Sequence, residues 1–395
     1  MNKHALVIGG GPSGLMAAEI LGKAGVKVTV VEAKASVARK FLMAGKSGLN
    51  LTKNENLDQF TKCFYDKQRY LRPILEAFGP KEVIEWADKL GAETFTGTSS
   101  RVFPKVMKAS PLVRAWVSRL LKFGVRMQTK WRWVGTNNGT FIFVTPDGNK
   151  TIEPNVTILA LGGASWSKLG SDGAWTKWFK ANDIDIHPFG AANAALRIKW
   201  SHHMVKHFGR PVKSVSFYTK SLKVRGEAII SQEGLEGNGI YQISRALRSS
   251  QKLHIDLLPD WSEQKLNLLL KKPKGKNSFS NYLRKLLKIG PEKMALLQEF
   301  GKPFPMDPIQ MAVLLKSIPI RYQGLAPIEE AISTSGGVSF DALDNKLMLK
   351  SMPGVFCAGE MLDWEAPTGG YLITAALATG RWAGIAATQF AKSAK

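Results

Sequence analysis

The first residues able to do chemistry stand within 32 positions of the start. Gly9, Gly11 and Gly14 form a G-x-G-x-x-G run that contains Pro12 and Ser13, and Glu32 follows 18 positions after Gly14. Each has a separate task in phosphate chemistry. Gly9 permits a tight turn, Gly11 lets backbone N–H groups approach a pyrophosphate, and Gly14 lets a helix lie close on a strand. A helix that begins there turns unpaired N–H donors and a partial positive charge toward the phosphates. A carboxylate at the position of Glu32 can accept from ribose hydroxyls. The pattern predicts a site for an ADP-containing dinucleotide.

A second set stands near the far end. Val355-Phe356-Cys357-Ala358-Gly359-Glu360 is an apolar run ending in glycine and acid, followed by Asp363 and by Pro367-Thr368-Gly369-Gly370-Tyr371. This repeats the first logic of strand, carboxylate, glycines and helix start. Glu360, with Asp363 as second choice, would accept from ribitol hydroxyls. The backbone at Gly370 and Tyr371 would aim N–H donors at the N1/C2=O edge of a flavin. Two such elements at opposite ends of one chain point to flavin adenine dinucleotide (FAD), which must be held along its whole length. No second fingerprint is visible, so NAD(P)H is expected as a transient electron donor, or another donor serves.

Between the two sets, residues 39–52 read RKFLMAGKSGLNLT, a Gly- and Ser-containing loop with Arg39, Lys40 and Lys46. It leaves the second strand at the edge where ligands of open α/β sheets lie. Lys40 is a candidate cofactor contact, and Lys46 and Asn50 are candidate catalytic groups on the substrate side. No general acid can be named from these residues.

The elements that must position these groups follow from periodicity. Residues 5–8 and 26–31 read as strands flanking a helix with Leu15, Ala18 and Leu21 on one face. Residues 55–92 read as two amphipathic helices, 112–123 as a third, and 125–129 as a strand. A hairpin pairs 131–134 with 140–144 around Asn137-Asn138-Gly139, and Val134 in it is a further candidate cofactor contact. Residues 156–163 read as a buried parallel strand ending in glycines, whose end, with Ala160, Gly162 and Gly163, brings backbone close to another part of the cofactor. Residues 191–325 differ in character, with short alternating strands and then helices. The expected architecture is therefore α/β: a Rossmann-like FAD-binding domain of the GxGxxG type, split into residues 1–190 and 326–395. A β-rich and helical substrate domain, 191–325, is inserted between them.

The chain has 395 residues, 44% hydrophobic and 22% charged, as in an ordinary globular protein. Its two cysteines, Cys63 and Cys357, give neither a disulfide framework nor a metal spacing. No apolar run reaches the length of a membrane span, and a cytoplasmic location is expected. His203 and His207 stand four apart without an acid or cysteine at ligand spacing, so no metal is expected. The charge is the unusual feature: 55 lysines and arginines against 31 acids give +24. Such a field favours polyanionic partners, nucleic acid first and anionic membrane second. It is densest in residues 191–325, where 23 basic residues face 9 acids. A monomer or weak homo-oligomer is expected.

The order of motifs resembles the YhiN/BaiN/RdsA-type family of FAD-dependent oxidoreductases. The residues that carry it are GGGPSGLMAA, RKFLMAGKSGLNLT, RVFPKVMKAS, ILALGGASW, GEAIISQEGLEGNGIYQIS, TSGGV, AGEMLD and PTGGY, over about residues 4–390. The resemblance implies a split FAD-binding domain with an insertion and hydride transfer between flavin N5 and an unsaturated substrate. One branch of the family acts on uridine in ribosomal RNA to make dihydrouridine, and another is linked to bile acid reduction. Many members carry Arg-Cys-Asn where this chain has Gly48-Leu49-Asn50. Leu49 offers no thiol, so a mechanism through that cysteine is excluded. The concentration of charge in the insertion favours ribosomal RNA as substrate. A small apolar or conjugated molecule is the alternative, and a flavin-containing RNA-binding protein without turnover is a third reading.

Overall fold

The computed structural model describes residues 3–45 and 48–393. They fall into two compact units, one of residues 1–190 and 333–395, the other of residues 191–332. The first unit opens with β1 (His4–Ile8), α1 (Pro12–Lys23) and β2 (Lys27–Glu32). β1 is apolar from Ala5 to Ile8, and β2 from Val28 to Val31 except at Thr29, and both runs are buried, as strands covered on both faces must be. Pro12 occupies the first turn of α1, where its missing N–H has no intrahelical partner to lose.

Next come α2 (Arg39–Ala44) and the two-residue β3 (Thr52–Lys53). Residues 55–92 hold three helices rather than two: α3 (Leu57–Lys62), α4 (Gln68–Ala77) and α5 (Pro80–Asp88). Tyr65 takes a φ of 53°, a left-handed conformation that interrupts a right-handed helix. After β4 (Thr94–Thr96) and β5 (Arg101–Pro104), of which β5 pairs with both β3 and β4, come α6 (Ala109–Lys122) and β6 (Arg126–Thr129). A three-stranded meander follows, β7 (Arg132–Asn137), β8 (Thr140–Thr145) and β9 (Gly148–Ile152). Asn138 and Gly139 both have positive φ in its first turn, the conformation that matches the twist of a two-residue hairpin. Then stand β10 (Val156–Leu159), α7 (Thr176–Ala181) and β11 (Ile186–Ala192).

The second unit contains β12 (Leu196–Arg197), β13 (Pro211–Tyr218), β14 (Lys223–Ser231), β15 (Gly234–Glu236), α8 (Asn238–Arg248) and β16 (Leu253–Asp256). Four helices follow: α9 (Glu263–Leu270), α10 (Phe279–Leu287), α11 (Pro291–Phe300) and α12 (Pro308–Lys316). It ends with β17 (Ile318–Ile320) and β18 (Gly324–Leu325). Its seven strands form a single antiparallel sheet in the order β17-β16-β13-β14-β15-β12-β18. Side chains such as Phe217, Ile255, Leu283 and Leu296 give this unit a hydrophobic core of its own.

The chain returns to the first unit through β19 (Ser333–Val338), which pairs with β11. It ends with β20 (Val355–Cys357) and the long α13 (Tyr371–Ser393). β20 completes a parallel sheet of order β20-β10-β1-β2-β6. α13 lies against α1 at two glycines one turn apart. A Cβ on Gly380 would stand 2.2 Å from Ser13 O, and one on Gly384 would stand 3.1 Å from Ala17 O. The parallel order puts the carboxyl ends of β1, β2, β10 and β20 on one edge, with their loops together there.

Candidate functional site

The turn from β1 into α1 shows why its glycines are required. Gly9 has a φ of 107°, and a Cβ there would lie 2.1 Å from Ala160 O at the end of β10. A Cβ on Gly14 would lie 1.9 Å from Gly9 O, whereas one on Gly11 would meet nothing within 4 Å. Gly9 and Gly14 thus close the turn, and Gly11 leaves a face of it open. α1 has no side-chain cap and no acid in its first turn, so the N–H groups of its first turn have no intrahelical or capping side-chain partner and carry the positive end of the helix dipole.

Glu32 closes β2 beside this turn. Its Oε2 accepts from Gly10 N at 2.9 Å and its Oε1 from Lys34 N at 2.8 Å. Burial pushes its carboxyl above the ordinary value, against the opposing pull of those N–H groups. Each oxygen keeps a second lone pair. Val134 is exposed on β7, at an irregularity of its pairing with β8. The residue that reaches the end of β2 is Trp131, whose N–H donates to Glu32 O at 3.0 Å. The hairpin strand begins one residue later than its apolar pattern implies.

The far-end motif meets the same edge. Gly359 has a φ of 84°, and a Cβ on it would lie 2.3 Å from Ser13 Oγ, so the second motif rests on the first turn of α1. Glu360 is held by two donors through three hydrogen bonds: Lys40 Nζ bonds both of its oxygens at 2.7 and 2.9 Å, and Thr334 N donates to Oε1 at 3.1 Å. Lys40 also donates to Ser165 Oγ at 2.7 Å. Gly163 makes the cluster possible, because a Cβ there would lie 2.4 Å from Thr334 Oγ1 and 3.3 Å from Glu360 Cδ. Gly162, with a φ of 69°, accepts at its carbonyl from Trp175 Nε1. Asp363, the second choice for the same role, is engaged elsewhere. It is buried and binds Lys67 Nζ at 2.6 Å and His187 Nδ1 at 2.8 Å. Glu360 lies within the turn at Gly359–Met361 and Asp363 just beyond it, where its backbone is fixed on Val338 O.

Gly370 has a φ of 103°, and a Cβ on it would lie 2.4 Å from the backbone of Thr52. The start of α13 therefore sits directly on β3. Tyr371 turns its ring onto Phe60, with centroids 4.7 Å apart. Its hydroxyl donates to Glu55 Oε1 at 2.7 Å and accepts from Lys53 Nζ at 3.0 Å. Burial first, and the neighbouring Cys63 and Glu55 after it, push its phenol above the ordinary value.

The 39–52 loop lies at this edge too. Lys46 falls outside the described residues. Asn50 is held on both sides, because Leu49 N bonds Met107 O and Leu51 N bonds Val102 O. The Asn50 Oδ1 atom is buried without a hydrogen-bond partner, as is Arg39 Nε. A cleft of about 490 Å³ is lined by Ser36, Arg39, Met43, Lys108 and Ser110, among others. Sequence reasoning missed Ser165, Thr334, Lys108 and Ser110. The sole hint was their adjacency to the glycine pairs and to the RVFP segment. Among the described residues no group of three His, Cys, Asp or Glu could hold a metal ion, and no helix is long and apolar enough to cross a membrane.

Comparison with known proteins gives consistent results. A family model described as "HI0933-like protein Rossmann domain" matches residues 3–386. The chain is 26% identical to a 3-dehydro-bile acid delta(4,6)-reductase of Clostridium scindens, over 97% of this chain and 98% of that protein. It is 22% identical to a ribosomal RNA dihydrouridine synthase of Escherichia coli, over 93% of each. Among solved structures, a 3-ketosteroid-delta4-(5alpha)-dehydrogenase of Rhodococcus jostii superposes with a TM-score of 0.53 at 14% identity, over 98% of this chain and 97% of that one. At such identity the likeness speaks for the fold.

Proposed function

The chain belongs to the HI0933-like family and is an FAD-dependent oxidoreductase, and from that premise we propose that it reduces a carbon–carbon double bond conjugated to a carbonyl in a small amphipathic substrate. FAD fits the residues present. The open approach at Gly11 suits a pyrophosphate, and Glu32 retains acceptor capacity for ribose hydroxyls. The buried Asn50 Oδ1 would accept from an N–H of the ligand, and Arg39 Nε would donate to an oxygen. When bound, FAD supplies hydride transfer at its flavin ring.

The rest falls to this chain. Lys40 and Thr334 fix the carboxylate of Glu360 while leaving it lone pairs for ribitol hydroxyls. Gly162, Gly163, Gly359 and Gly370 keep strand ends and the start of α13 close enough to enclose a long ligand. Lys46 and Asn50 are proposed on the substrate side. There, an N–H donor aimed at the carbonyl of a conjugated substrate would stabilise the negative charge that develops as hydride arrives. NAD(P)H is the proposed transient donor.

The observation that carries this reading is the end-to-end match with a relative whose name states reduction of such a double bond in a bile acid. Uridine in ribosomal RNA is the second reading. Its C5=C6 bond is likewise conjugated to a carbonyl, and 23 basic residues against 11 acids in residues 191–332 favour a polyanion. To test both, the FAD-loaded protein is reduced without oxygen and mixed with a 4-en-3-one steroid or with ribosomal RNA. Flavin reoxidation with saturated ketone as product is expected. Reoxidation by RNA alone, with dihydrouridine formed, moves the assignment to the second reading, and silence toward both sinks the class.

A further inference from the structure

We propose that one corner of the second unit docks the protein on an anionic lipid surface. α9 and α12 run antiparallel. Lys316 Nζ at the end of α12 donates to Leu258 O and Trp261 O, just before α9, each at 2.8 Å. The beginning of α12 therefore lies beside the end of α9, where the chain enters the Lys271-Lys272-Pro273-Lys274-Gly275-Lys276 loop. The ring of Phe304, before α12, stands 5.4 Å from that of Phe279 at the start of α10 and closes the same corner.

Large apolar side chains stand out into solvent here. Met306 is 84% exposed and Ile309 57%, with Val313 exposed one turn further along the stripe, and Leu268 on α9 is 68% exposed. Lys271, Lys272, Lys274, Lys276 and Lys302 are exposed around them, and none makes an ion pair among the described residues. The acid at this corner, Asp307, is engaged as the cap of α12, accepting from Gln310 N.

Single exposed apolar residues are ordinary, but a cluster ringed by one sign of charge marks an interaction site. Nucleic acid would call for accessible aromatic faces between the cations. The aromatic rings at this corner, Phe279 and Phe304, are partly buried against each other, and the projecting groups are aliphatic. Methionine, isoleucine and leucine seated at the headgroup boundary with lysines on anionic headgroups satisfy both halves of the surface. This inference stands apart from the substrate reading.

The test uses the full-length FAD-loaded protein sedimented with vesicles of phosphatidylcholine alone or mixed with phosphatidylglycerol. Partition at least tenfold stronger onto the anionic vesicles is expected. Met306→Ser with Ile309→Ser should cut it about tenfold, and Lys271→Glu with Lys272→Glu and Lys276→Glu should abolish it. Because all five positions are exposed, flavin content and Tm should stay unchanged. No partition onto anionic vesicles overturns the proposal, as does partition indifferent to the Met306 and Ile309 changes. So does a dimer, or an RNA complex, that these variants abolish while vesicles are ignored.

Discussion

Glu360 accepts three hydrogen bonds from two donors, and its principal partner lies 320 positions away in sequence. Removing Lys40 leaves a half-buried carboxylate with one backbone N–H and no counter-charge, which weakens whatever Glu360 must hold. Lys40→Met is expected to weaken FAD binding about tenfold, roughly 1.4 kcal/mol, read by flavin fluorescence titration. The double variant Lys40→Met with Glu360→Gln should lose less than the sum of the two single changes, because their contacts are shared. Wild-type affinity in Lys40→Met would remove the pair from the cofactor site. Glu360 was legible because a glycine–acid pair ends an apolar run, and Lys40 because it stands in a basic loop. Their pairing was not, since no local pattern records a contact over that separation. Asp363 shows the converse: two carboxylates three residues apart look equivalent in sequence, and the intervening turn sends one to Lys40 and the other to Lys67 and His187. Ser165 and Thr334 carried no signal beyond their adjacency to glycines, since small polar residues stand beside glycines for many other reasons.

The helices α1 and α13 come from opposite ends of the chain and touch through backbone. Each was visible as an element, α1 by its apolar spacing after the glycines and α13 by its run of small residues. The reason for the small residues appears only in the packing. A Cβ on Gly380 would be driven into the Ser13 carbonyl, and backbone has little room to yield. Gly380→Ala is expected to cost about 1–3 kcal/mol through overpacking and to lower Tm by several degrees. It should also weaken FAD binding, because Ser13 sits in the first turn of the helix proposed to face the pyrophosphate. A Tm and an affinity equal to wild type would mean that α13 shifts freely and has no part in shaping that turn. The short helices after β3 were harder to read. Apolar residues persist through residues 55–92, and the left-handed Tyr65 that divides them leaves no mark in the periodicity.

Charge belongs to the whole molecule, and its distribution separates the readings of substrate. Residues 191–332 hold 23 basic residues against 11 acids, a net +12, so the remaining 253 residues share the other half of the +24. A field of that density attracts anions in general, and salt screens it in proportion to how much of the interaction is long-range and exposed. Binding to a phosphate backbone falls steeply with salt because counterions are released at each neutralised phosphate, by orders of magnitude between about 50 and 200 mM for several contacts. A small conjugated ketone carries no such array. If it is the substrate and the lysines of the α9–α12 corner serve a lipid surface, the two activities must separate under salt. Raising salt over that range is expected to strip the protein from phosphatidylglycerol vesicles while kcat/KM for a soluble enone changes by less than about twofold, since enclosed polar contacts are screened little. A collapse of both together would place the basic surface in the path of the substrate. The reductase would then be one whose substrate is itself a polyanion, and ribosomal RNA would return as the first reading.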